Sequence, residues 1–305
     1  MTINKKVSPG QVFLALGTSI FLILLWCINQ LPYRAKLAAG KSLGILAYRI
    51  PNSRIKITRT NLELCFPDIS VSEREIMVQE TFRNFGAGLI ETAMAWWDDT
   101  EKIFPMTDIV GQEVIDQALN KGKGVLVIGA HFSTLDLSSM LASKYVSHYA
   151  IYREQTNQLL NWCMRRGRRH MVQGIPHTSI RGAAKRIMEG NIVWYAPDQD
   201  MGIDHSVFAP FFGQMAATLT ATAKLAKLTG APIVMCGTYR KPDDSGYVVQ
   251  FMSGPDEFPV ADEVESAAIV NRLIEQAIRI APTQYYWFHR RFKTQPGLEK
   301  GAIYQ

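Results

Sequence analysis

The sequence predicts an α/β fold, a sheet flanked by helices, preceded by an N-terminal transmembrane helix. Three observations predict it. From Gly124 onward, short apolar runs alternate with stretches of helical period. A charge-free run, VFLALGTSIFLILLWCI, fills Val12–Ile28. With 47% hydrophobic and 20% charged residues, the 305-residue chain suits a folded body with a large core and excludes long disorder. No repeat or linker divides it after the apolar run, so the expected division is a membrane anchor over 1–32 and one cytoplasmic domain over 33–305.

As a helix, the apolar run spans about 26 Å at ~1.5 Å per residue, slightly short of a hydrocarbon core of about 30 Å. Lys5 and Lys6 precede it, and Arg34, Lys36 and Lys41 follow, with more basic residues through Arg49, Arg54, Lys56 and Arg59. Positive charge downstream opposes translocation, and no small-residue cleavage site follows directly, which argues against a removed signal peptide. The expectation is single-pass insertion with the body on the cytoplasmic side. A buried or interfacial helix is the alternative, but the apolar residues are nearly continuous instead of striped.

Residues 70–97 read as a helix, with Ser72-Glu-Arg-Glu75 at capping-box spacing and Met77, Val78, Phe82, Phe85 and Leu89 at helical intervals. Strands are expected at 125–130, 148–152, 192–196, 232–239 and 247–252. Helices are expected at 134–145, 156–169, 178–189, 216–228 and 262–280, the last closed by Pro282. The segment Phe208–Gly213, followed by Ala216–Thr220, reads as a turn and helix start. In sheets of this kind, sites gather beyond the C-terminal ends of strands.

VLVIGAHFSTLDLSSML therefore places His131 just past a strand and Asp136 in a first helical turn. An imidazole can take a hydroxyl proton, and a nearby carboxylate can fix its tautomer and stabilise the imidazolium. The competing structural role is a helix start, with Ser133 as cap and Asp136 at the positive end of the helix dipole. A G-x-S-x-G elbow, an H-E-x-x-H helix and a phosphate loop are all absent from the sequence. Cys27, Cys65, Cys163 and Cys236 are scattered without metal or disulfide spacing, and His148, His170, His177, His205 and His289 show no ligand pattern. No metal is expected.

The chain carries a formal charge of +6. Its basic residues cluster at Arg165-Arg-Gly-Arg168-Arg169-His170 and at His289-Arg290-Arg291-Phe-Lys293. Guanidinium groups suit phosphate and carboxylate, although cations at a helix C-terminus also answer the helix dipole. Beside an anchor, the clusters point to anionic lipid; no nucleic-acid motif accompanies them, and no nucleic-acid partner is expected.

Taken together, the chain resembles the lysophospholipid acyltransferase-like superfamily, and within it the late acyltransferases of lipid A biosynthesis, the lauroyl and palmitoleoyl branch. The resemblance rests on Asn61-Leu-Glu-Leu-Cys-Phe-Pro67, Glu91-Thr-Ala-Met-Ala-Trp96, His131-x₄-Asp136, Trp194-Tyr-Ala-Pro-Asp-Gln-Asp200, Phe208-Ala-Pro-Phe-Phe212 and His289-Arg-Arg-Phe-Lys-Thr294. It implies a mixed sheet flanked by helices, as in glycerolipid acyltransferases. It also implies transfer of a fatty acyl group from acyl carrier protein to a hydroxyl on an acyl chain of Kdo₂-lipid IV(A), among the lipids of a bacterial inner membrane, with no cofactor. His131 would be the base and Asp136 its orienting acid. Arg168 matches a family arginine in the Gly-Arg segment, and Asp200, Arg290 and Arg291 fall in the matched segments; all four are substrate-binding candidates. This branch usually carries glutamate where Asp136 stands, whereas the glycerolipid enzymes carry aspartate. A glycerolipid or lysophospholipid acceptor is therefore the nearest alternative, followed by an acyl thioesterase and a non-enzymatic lipid-binding protein.

Overall fold

The computed structural model describes residues 9–98, 100–144, 147–169 and 173–305, so Lys5, Lys6 and His170 lie outside the described residues. Four helices come first: α1 (Pro9–Asn29), α2 (Tyr33–Arg49), α3 (Ser53–Cys65) and α4 (Val71–Trp97). α4 starts with a capping box, but its members are Ser70 and Glu73, two residues before the expected pair. Glu75 instead takes a bidentate bond from Arg59 and a bond from the Tyr48 hydroxyl. α2 and α4 cross at their glycines: a Cβ on Gly86 would lie 2.1 Å from the Gly40 carbonyl oxygen, and one on Gly44 would lie 2.1 Å from that of Phe82.

Strand and helix then alternate through β1 (Thr107–Val110), α5 (Gln112–Asn120), β2 (Val125–Ile128), α6 (Leu135–Ser143), β3 (His148–Tyr152), α7 (Gln158–Arg168), β4 (Gln173–Pro176), α8 (Ile180–Met188) and β5 (Ile192–Tyr195). The chain continues with β6 (Ser206–Phe211), β7 (Gln214–Leu219), α9 (Ala221–Thr229), β8 (Ile233–Arg240), β9 (Tyr247–Ser253) and α10 (Glu263–Ile280). Seven strands form one mixed sheet in the order β1-β9-β8-β2-β5-β3-β4, parallel throughout except where β8 meets β9. β2 lies inside the sheet with all four residues buried. Leu126 and Ile128 pack into one core with residues of α8, α9 and α10, and Val125 and Val127 into a second with residues of α4, α5 and α6. That alternation is what a strand covered by helices on both faces requires.

Two expectations are corrected. β6 and β7 form a separate antiparallel hairpin where a turn and helix start were expected at Phe208–Gly213. Phe212 and Gly213 both have left-handed φ, 50° and 76°, the geometry of a two-residue hairpin turn, so a helix begins only at Ala221.

The second correction concerns the N terminus. Among the described residues no helix is long and apolar enough to cross a membrane, which overturns the transmembrane helix and, with it, single-pass insertion in an inner membrane. α1 instead lays one edge on the body: Leu22 and Leu25 are buried, with Leu25 packed beside Ile90 and Met94 of α4, and Asn29 donates to Asp98 at 2.6 Å. Of the basic residues expected to flank a membrane, Lys36 is buried and paired with Asp98, and Lys41 is paired with Asp244.

Candidate active site

β2 ends at Ile128, and Gly129 follows with the Trp194 indole so close that a Cβ would lie 2.1 Å from the ring. The chain then turns through His131, Phe132 and Ser133 into α6. Three backbone interactions hold that turn against the segment after α10: Ser133 N–H donates to the Gln284 carbonyl at 2.8 Å, Tyr286 N–H donates to that of His131 at 2.9 Å, and Phe132 bridges Tyr285. Ser133 is not the helix cap; Thr134 stands there, and its hydroxyl donates to the Thr238 carbonyl of β8 at 2.6 Å.

The carboxylate that meets His131 belongs to Asp198. Its Oδ1 lies 2.6 Å from His131 Nδ1, and its Oδ2 accepts the His131 backbone N–H at 2.9 Å. This grip makes Nδ1 the protonated nitrogen and leaves the Nε2 lone pair for a substrate. Asp198 is fully buried and also accepts from the Tyr285 hydroxyl, whereas the His131 side chain is 29% exposed. Burial opposes charge on the imidazole, but the Asp198 carboxylate outweighs it and holds His131 above its ordinary pKa, with the Arg168 charge pulling the other way. Burial likewise favours a neutral Asp198, and its bonds to His131 reverse that, holding it below the usual carboxylate range.

Asp136, expected to orient the imidazole, is paired with Arg168 instead: the guanidinium Nε donates to Asp136 Oδ1 at 2.5 Å. Arg168 ends α7, and the residue before it must be small, because a Cβ on Gly167 would lie 2.4 Å from the Trp96 indole. Thus the Arg-Gly-Arg segment brings a cation, paired with Asp136, to the side of the His131–Asp198 pair.

The other candidates are not bonded to His131 or Asp136. Asp200 is fully buried and binds the chain itself: it accepts from Gly202 N–H at 2.9 Å and from the Thr294 backbone and hydroxyl at 2.8 and 3.0 Å. Its own N–H donates to His289 Nε2 at 3.0 Å, and burial pushes that imidazole down to about 4. Arg291 is buried, donating to the Ala217 carbonyl at 2.7 Å and to the Thr218 hydroxyl, while Arg290 is exposed and stacks over Tyr304. Among the described residues, no group of three or more His, Cys, Asp or Glu is placed to hold a metal ion.

A partly open imidazole backed by a buried carboxylate, at the C-terminal end of a strand of an α/β sheet, is an arrangement in which the imidazole can act as a base toward a bound hydroxyl. The chain belongs to the bacterial lipid A biosynthesis acyltransferase family, whose model matches residues 9–294. It is 40% identical to the lipid A biosynthesis lauroyltransferase of Escherichia coli K12 over 90% of each chain. It is 39% identical to the palmitoleoyltransferase of the same organism, again over 90% of each chain. The E. coli lipid A biosynthesis myristoyltransferase is 30% identical over 84% of this chain and 80% of its own. The chain is therefore an acyltransferase of lipid A biosynthesis.

Proposed function

We propose that this chain transfers a lauroyl or similar fatty acyl group from acyl carrier protein to a hydroxyl on an acyl chain of Kdo₂-lipid IV(A), with His131 as general base oriented by Asp198. The observation that carries the mechanism is the two-point grip of Asp198 on His131, which dedicates Nδ1 to the carboxylate. His131 Nε2 takes the acceptor hydroxyl proton as the oxygen attacks the thioester carbonyl. The C–O bond forms, the C–S bond breaks, and the departing thiolate takes the proton back from the imidazolium. Arg168 supplies positive charge beside the imidazole, where the tetrahedral oxyanion develops. The donor's acyl group and the acceptor hydroxyl supply every atom of this step, so no cofactor enters it.

The test is to give the purified protein acyl carrier protein thioester and Kdo₂-lipid IV(A), and to follow the acceptor by mass spectrometry. One added acyl chain is expected, and His131→Ala should abolish it. Unchanged transfer in that variant rejects the mechanism. Acylation of a lysophospholipid in place of Kdo₂-lipid IV(A) rejects the acceptor, and release of free fatty acid alone rejects transfer.

A further inference from the structure

α7 has two working faces. Inward, Met164 and Gly167 are buried and Arg168 reaches Asp136. Outward, Gln158, Asn161, Trp162, Arg165, Arg166 and Arg169 recur at intervals of three and four and line a cavity of about 530 Å³. Trp162 is 59% exposed, and the Arg166 guanidinium stands 5.7 Å from its ring centre. The nearest carboxylate to Arg165 is that of Glu154 at 3.7 Å, with both side chains largely exposed, a pairing too solvated to satisfy the arginine.

A second cavity, of about 320 Å³, lies where α1 passes the start of α7, lined by Leu14, Gly17, Thr18, Phe21, Asn157 and Leu160. Within its lining, the Asn157 amide donates to the Thr18 hydroxyl at 2.7 Å. Neighbouring residues at the start of α7 line the two cavities, Asn157 and Leu160 in one and Gln158 and Asn161 in the other. One end is apolar and the other cationic and aromatic. An acidic protein would satisfy the arginines but leave the apolar end open to water. A phosphate-bearing amphiphile satisfies both, with hydrocarbon against Leu14, Phe21 and Leu160 and the phosphate on the guanidinium groups.

We infer that the outer face of α7 and the α1–α7 groove form one binding site for a phosphorylated lipid, with Arg165 and Arg166 holding the phosphate. The inference rests on the proposed function in one respect only, that the acceptor belongs to this chemical class. The site lies on the same helix as Arg168, the partner of Asp136, so it would anchor the head of an acceptor whose acyl chain is served by His131.

The full-length protein in neutral detergent is titrated by calorimetry with dihexanoyl phosphatidic acid, dihexanoyl phosphatidylcholine and inorganic phosphate. Phosphatidic acid is expected to bind about tenfold or more tightly than either of the others, because inorganic phosphate has no hydrocarbon for the apolar end and the choline ammonium offsets the charge of the phosphodiester at the arginine end. Arg165→Gln/Arg166→Gln should weaken phosphatidic acid about tenfold, and Leu160→Asn should weaken it without changing the affinity for inorganic phosphate. His131→Ala should bind it as the wild type does. Unchanged affinity in the double arginine variant overturns the inference, as does inorganic phosphate binding as tightly as the lipid. So does loss of acyl carrier protein binding in that variant with phosphatidic acid affinity intact, which would make the face a surface for acidic protein. If the wild type binds phosphatidic acid as expected but transfers no acyl group, the proposed function fails and this site stands.

Discussion

His131 and Asp198 occupy equivalent positions beyond two neighbouring parallel strands. β2 and β5 pair with Ile128 opposite Tyr195, an offset of 67 residues, and the bonded pair His131 and Asp198 carries that same offset, each three residues further on. The register of the sheet thus delivers the imidazole and its carboxylate to one place. Asp136 lies on α6, and the residue that meets it comes from the end of α7.

The orienting role proposed for Asp198 is tested by the pH dependence of the reaction. A general base works as the neutral imidazole, so activity rises with pH through the pKa of His131, which Asp198 holds above its ordinary value. Asp198→Asn removes that charge, so the rising limb should move to lower pH while the plateau of kcat falls by about 10²- to 10⁴-fold. Profiles of kcat against pH for wild type and variant provide the check; an unshifted limb returns the orienting role to another residue.

Asp136 and Arg168 should behave as one unit. Both side chains are largely buried, and removal of either leaves the other's charge without its partner. Asp136→Asn and Arg168→Gln should each lower kcat, and the double variant should be no worse than the poorer single one, a coupling of about 0.5–3 kcal/mol in transition-state stabilisation. A double-mutant cycle on kcat/KM measures this; additive losses would show that the two act separately.

The turn at His131 was legible because its signals are local: a continuous apolar strand, a glycine and a helix start lie within one window. Asp198 was in view, inside Trp194-Tyr-Ala-Pro-Asp-Gln-Asp200, but its role depends on β2 and β5 being neighbours, which no local pattern carries. The signal was the equal spacing from two apolar runs, and it becomes readable only once the strand order is known. Asp200, a candidate from the resemblance, and Arg291, a candidate from its basic cluster, are both buried and bonded within the chain, a matter of tertiary packing that composition does not record. At the N terminus, the apolar run does form a helix, but Lys36 and Lys41, which follow it in the sequence, each have an acidic partner far along the chain.

The crossing of α2 and α4 should be intolerant of any side chain at Gly86. A Cβ there meets the backbone of Gly40 and Gly44 at 2.1–2.8 Å, atoms that can give way only if a whole helix shifts. Gly86→Ala gains helix propensity, about 1 kcal/mol, but overpacks a helix contact at a cost of about 1–3 kcal/mol or more. Net destabilisation is expected, read as a lower urea midpoint with an unchanged m-value. Gly17→Ala, in α1 with no atom within 4 Å of the new Cβ, is the control and should not destabilise.

Gln284 joins the His131 turn to β8. Its side chain accepts the Arg240 backbone N–H and donates to the Arg240 carbonyl, both at 2.9 Å, while its own carbonyl holds Ser133 N–H at 2.8 Å. The Arg240 guanidinium is in turn buried against Glu91 of α4 at 2.7 Å. Gln284→Ala would strand two buried backbone groups, each costing about 1–3 kcal/mol, and loosen the segment that grips His131 and Phe132. Stability should therefore fall and kcat should fall with it. The rising limb of the pH profile should stay in place, because His131 keeps its carboxylate. Urea denaturation and kcat against pH separate this outcome from the one expected for Asp198→Asn: a limb that moves in Gln284→Ala would mean that Gln284 also sets the charge balance of the pair, and an unchanged kcat would mean that the turn holds its shape without this clamp.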